Sequence, residues 1–175
     1  MPRWRAVPAA LVALFSLACS NGPAAGATPP QQAQAPGGCA ATHVLVHAGP
    51  PEWARAGFNY GAGDWALPWA LSDSGNVVAH LFARQLVAGG ERPDGSANKI
   101  LWNVRDVAAG LQVIAHPDAT TQPRITISGQ MTNGNQMPSI VDLPAPGCWA
   151  FAISWGTKHD SLSLQVLPAG SSPAL

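Results

Sequence analysis

Between Pro144 and Gly156 the chain reads Pro-Ala-Pro-Gly-Cys-Trp-Ala-Phe-Ala-Ile-Ser-Trp-Gly, and bulky apolar residues alternate there with small ones. Trp149, Phe151, Ile153 and Trp155 share one parity; Cys148, Ala150, Ala152 and Ser154 share the other. Successive side chains on a strand point to opposite faces, so this period predicts a strand with one bulky face turned to a core. Pro144 and Pro146 keep the approach extended, and Cys148 leads the strand in. The stretch is expected to be the central strand of an all-β domain.

The rest of the chain agrees with that class. With 18 Gly and 17 Pro among 175 residues, helices are disfavoured and short strands joined by many turns are favoured. Strands are expected over 41–48, 64–71, 76–83, 99–104, 111–115, 124–128, 139–143 and 161–167, besides the central one. The second and third look like a hairpin about the turn Ser72-Asp-Ser-Gly75. Gly89-Gly90, Pro93 and Asp94-Gly95 mark 84–98 as a long exposed loop. In Lys99 to Val104 the parity places Ile100, Trp102 and Val104 on one face. The expected architecture is an antiparallel, immunoglobulin-like β-sandwich of about eight or nine strands.

Before the domain lies a secretion signal. Arg3 and Arg5 form a basic start, and Ala6 to Ala18 is apolar but too short to span a bilayer. Residues 1–18 are therefore expected to be a signal peptide. Cys19 follows directly, where lipoproteins carry the cysteine that receives a diacylglyceryl group. The position three before it is Ser16 rather than the favoured Leu. Ordinary cleavage after Ala25-Gly26-Ala27 is the competing outcome, giving a secreted, soluble product. Residues 19–38 hold Pro, Ala, Gly and Gln without charge or apolar period and are expected to be a flexible tether. Residues 39–168 form the sandwich, and 169–175 a disordered tail.

Three cysteines are an odd number for an exported chain. Lipidation of Cys19 leaves Cys39 and Cys148 to pair in an oxidising compartment, while two free buried thiols are the alternative. Without Arg3 and Arg5 the chain carries seven basic against nine acidic residues, which is no footprint for nucleic acid.

Lys99-Ile100-Leu101-Trp102, then Pro138-Ser139-Ile140-Val141-Asp142, then Pro144-x-Pro146-Gly147-Cys148-Trp149 with Trp155-Gly156, resemble a group of uncharacterised bacterial exported proteins and lipoproteins. The resemblance spans about residues 50–167. It implies an extracytoplasmic β-sandwich of unassigned activity and carries over no functional residue.

Chemistry is hard to find in the pattern. His43 and His47, on one strand face, would stand about 13 Å apart at ~3.3 Å per residue, too far for one ion. A metal site would need His47 with His80 or His116, and a copper site methionines such as Met131 or Met137. No metal and no cofactor is expected. Gly-x-Ser-x-Gly and His-Glu-x-x-His are missing, and the only glutamates are Glu52 and Glu91. Asp64, Asp73 and Asp142 read as turn formers before they read as a carboxylate pair. The chain is expected not to be an enzyme.

The aromatic residues divide in two. Trp102, Trp149 and Trp155 alternate with small or polar neighbours and belong to a core. Trp53, Phe58, Tyr60, Trp65 and Trp69 fall in a Pro-broken segment. They would either lie over one open end of the sandwich as a lid or form an exposed surface that stacks on sugar rings or a hydrophobic partner. A binding surface would leave at least two of the three indoles exposed. The leading functional expectation is a non-catalytic module of the bacterial cell envelope, anchored to the membrane through Cys19, that binds an envelope protein or glycan or serves structurally. A small-ligand or glycan binder using the 53–69 aromatics is the alternative.

Overall fold

A computed structural model describes residues 33–55, 57–58, 65–90, 92–106 and 110–172. The signal peptide, Cys19, most of the expected tether and Tyr60 lie outside the described residues. The chain divides into a unit of Met1–Pro30 and a unit of Gln31–Leu175, and the second carries every strand described.

Among the described residues there are eleven strands: β1 (Ala33–Ala35), β2 (Val44–Val46), β3 (Trp69–Leu71), β4 (Val77–Leu81), β5 (Leu86–Val87), β6 (Lys99–Val104), β7 (Gln112–Pro117), β8 (Ile125–Ile127), β9 (Gln136–Ile140), β10 (Gly147–Trp155) and β11 (Lys158–Leu167). They form a six-stranded sheet in the order β1-β2-β3-β4-β6-β9 and a five-stranded sheet in the order β5-β11-β10-β7-β8. Every pairing is antiparallel except β11 with β5. The sandwich is as expected. What is realised of the immunoglobulin-like form is its coarse part, two largely antiparallel sheets face to face.

The alternation in β10 decides how the sheets meet. Trp149, Phe151, Ile153 and Trp155 are all buried, and β10 lies in the middle of its sheet between β11 and β7. Ile100, Trp102 and Val104 of β6 face them from the other sheet in one continuous core. The Trp102 and Phe151 rings meet at 5.3 Å between centroids. Two of these indoles find an acceptor on burial, whereas Trp155 Nε1 meets none among the described residues. Trp102 Nε1 donates to Ser139 Oγ (2.8 Å) and Trp149 Nε1 to the Ala145 carbonyl (2.9 Å). The proline-flanked approach to β10 thus supplies the acceptor that lets its first tryptophan go inside.

β4 is buried along its whole length, so both its faces are covered. Val77, Ala79 and Leu81 enter the inter-sheet core, while Val78 joins Ala54, Trp65 and Trp69 in a second cluster on the outer side of the same sheet. Leu45, Trp53, Phe58, Leu67 and Leu71 pack against that second cluster. The described residues between β2 and β3, among them a 3₁₀ turn at Glu52–Ala54, cover the sheet.

Four sequence expectations are corrected. The tether does not run to residue 38: Ala33–Ala35 pairs with Val44–Val46, and Gly38 bridges Leu164. Small residues without an apolar period can still add an edge strand, because the ladder uses backbone groups alone. The loop over 84–98 is not simply exposed, since Leu86, Val87, Ala88 and Asn98 are buried. Asn98 organises it, receiving the Val87 N–H on Oδ1 (3.0 Å) and donating from Nδ2 to the carbonyls of Val87 (2.7 Å) and Val141 (3.0 Å). Finally, the strand expected over 139–143 starts earlier, at Gln136. Beyond β11, Pro168 to Ser171 closes a turn rather than beginning a disordered tail at once.

Candidate functional site

The cysteine arithmetic is realised where it was tested. Cys39 and Cys148 form a disulfide with Cα atoms 5.9 Å apart, closing a separation of 109 residues. Cys39 also holds β11 through its N–H to the Ser163 carbonyl (3.3 Å). The bond therefore fixes the chain entering the domain to the head of the central strand.

The 53–69 aromatics do not make the exposed stacking face. Trp65 and Trp69 are only 5% and 3% exposed, so two of the three indoles fail the stated test. Trp53 and Phe58 are half-buried, and Tyr60 lies outside the described residues. Trp69 Nε1 donates to the Ala48 carbonyl (2.8 Å), and Phe58 meets Trp65 edge-on at 5.6 Å. The lid reading holds, with one change: the segment covers the face of a sheet, not an end of the sandwich. What surfaces instead is Phe82, 42% exposed, which stacks on Phe58 and carries Lys99 Nζ 5.1 Å from its ring centre.

Under this cover lies a polar clasp that sequence reading missed. The Ala54 carbonyl, in the 3₁₀ turn, accepts from His80 Nε2 (3.2 Å) and from Asn103 Nδ2 (3.0 Å). Both donors are fully buried, on adjacent strands β4 and β6. Because the partner is a carbonyl, the proton of a neutral imidazole must sit on Nε2. His80 Nδ1 and the Asn103 Oδ1 meet no partner among the described residues. Burial lowers the His80 pKa to about 4, with the Ala54 bond opposing that shift. The imidazole is thus a neutral donor pinning the cover to the sheet. The signal in the sequence was a histidine in the otherwise apolar Val77–Leu81 and an asparagine between Trp102 and Val104.

The other candidates separate. His80 is committed to Ala54 and Met137 is buried in the main core, so neither reaches an ion with His47. His116 Nδ1 lies within hydrogen-bond distance of the Pro117 (2.9 Å) and Thr120 (2.7 Å) carbonyls. Among the described residues no group of three His, Cys, Asp or Glu side chains could hold a metal ion. Asp73 and Asp142 line different cavities, and Asp64 lies outside the described residues. Asp160 instead carries the densest carboxylate network. It accepts from Ser72 Oγ (2.6 Å), from the N–H and Oγ of Ser74, and from the Ser161 N–H (2.9 Å). Burial alone would raise its pKa, but these bonds outweigh it and hold the carboxyl below the usual value. The β3–β4 turn is thereby hung on β11.

Comparisons with known proteins add little. No family model and no curated protein matches the chain. A solved structure described as a "Putative Lipoprotein from Bacillus anthracis" is 19% identical, with a TM-score of 0.37, over 57% of this chain and 78% of that one. A likeness at that score carries no argument about fold or function.

Proposed function

We propose that the chain is a non-catalytic, exported module of the bacterial cell envelope, anchored to the membrane by lipid on Cys19. The observation that carries this reading is the Cys39–Cys148 disulfide. It suits an oxidising compartment and accounts for two of the three cysteines, leaving Cys19 at the end of the apolar leader to take the lipid. The non-catalytic part is supported by how the polar groups are used. His80, Asn98, Asn103 and Asp160 each hold one structural segment to another. The aromatics that might have bound a glycan are spent as the second core, which favours a structural or protein-binding role over sugar recognition.

Phase partition tests the anchor. Expressed in a bacterium, the full chain should enter the detergent-rich phase, and the Cys19→Ser variant should move to the aqueous phase. Equal partition of the two proteins into the aqueous phase would remove the lipid anchor from this reading.

A further inference from the structure

At one side of the sandwich, β1 and β2 of the larger sheet stand beside the chain that leads into β5 of the smaller one. Between them is a cavity of about 410 Å³, within the range of small-molecule sites. Ala35, Val46 and Pro68 give it an aliphatic wall. Arg84 and the amide side chains of Gln34 and Gln85 give it polar corners, and no acidic residue among those described lines it. The roof is tied across the sheets, since the Gly37 carbonyl accepts from the Gln165 N–H (2.7 Å).

Two of the residues lining this cavity have a backbone that L side chains rarely adopt: His47 at φ 63° and Arg84 at φ 60°. Such residues persist only where the surroundings over-determine them, and they concentrate at binding sites. Here the His47 N–H is held by the Trp65 carbonyl (2.8 Å) and the Arg84 N–H by the Leu81 carbonyl (3.0 Å). Arg84 is half-buried, and among the described residues no carboxylate pairs with its guanidinium. A guanidinium at the edge of an aliphatic cavity selects a ligand with one anionic end and a short hydrocarbon body.

We propose that this cavity binds a small aliphatic carboxylate, its head group on the Arg84 guanidinium and its chain against Ala35, Val46 and Pro68. The site stands whether or not Cys19 is lipidated, so its failure and that of the anchor are separate results.

The test is calorimetric titration of the full chain, disulfide intact, with sodium hexanoate and with its neutral isostere hexanamide. Arg84→Asn removes the charge while keeping a residue that tolerates the left-handed backbone, and Arg84→Lys keeps the charge. Hexanoate should bind saturably at one site. Losing the charge-assisted contact should weaken it about tenfold or more in Arg84→Asn, and Arg84→Lys should retain most of the affinity. Hexanamide should bind the unaltered chain about tenfold more weakly than hexanoate, a comparison that holds even if Arg84→Asn does not fold. Absence of saturable heat, equal affinity for acid and amide, or unchanged affinity in a folded Arg84→Asn would each overturn the proposal.

Discussion

His80 is neutral because nothing buried beside it repays an imidazolium. The Ala54 carbonyl favours the charged form, but loss of water outweighs one hydrogen bond, and the folded-state pKa falls to about 4. Between pH 6.5 and 4 the unfolded chain therefore binds a proton that the folded chain refuses. Stability must fall as the pH drops through that window, by about 3 kcal/mol if the whole shift is expressed. Below pH 4 the further loss belongs to carboxylates such as Asp160, whose lowered pKa stabilises the fold above the ordinary carboxylate value and less as acid titrates it. Urea midpoints measured at pH 7 and pH 4.5 should differ clearly for the natural chain and much less for His80→Phe. An equal acid sensitivity in both proteins would show that His80 is not the group responsible. The apolar neighbours of His80 pointed to burial but not to what the imidazole would meet. Its role depends on Ala54, 26 residues away, being brought over the sheet.

At the scale of elements, β10 was fully legible because its period of two is undisturbed over nine residues. The strand that leads the fold is also the one whose loss should be least tolerated. Trp149→Ala removes a buried indole and should cost about 3–5 kcal/mol. Cys39→Ser opens a loop of about 110 residues and should cost on the order of 4 kcal/mol in the chain-entropy model. Chemical denaturation of the two variants should reveal losses of similar size; a loss below about 1 kcal/mol in either would contradict the organisation around β10. The segments that misled share a physical cause. β1 is held by its backbone ladder to β2, and β5 by its ladder to β11, by Asn98 and by burial of Leu86; both are too short for a hydrophobic period, so they become visible only when their partners are in place. The 53–69 aromatics were ambiguous for the opposite reason. Apolar side chains in an irregular segment are equally consistent with a lid and a platform until the outer face of β4 is seen to need covering.

For the whole molecule, the described residues form a β-sandwich closed by a disulfide and covered on an outer face by a second core, and the proposed setting is outside the cell on a lipid. The fold part rests on the strands described; the export part rests on the leader, the odd cysteine count and the compartment that the disulfide suits. The measurement that bears most directly on this account is the intact mass of the full-length product, purified from bacterial membranes in mild detergent. The account predicts a chain beginning at Cys19, heavier by its acyl chains and lighter by the two hydrogens of one disulfide. A lipid-free chain beginning at Thr28, recovered only from the soluble fraction, would contradict it.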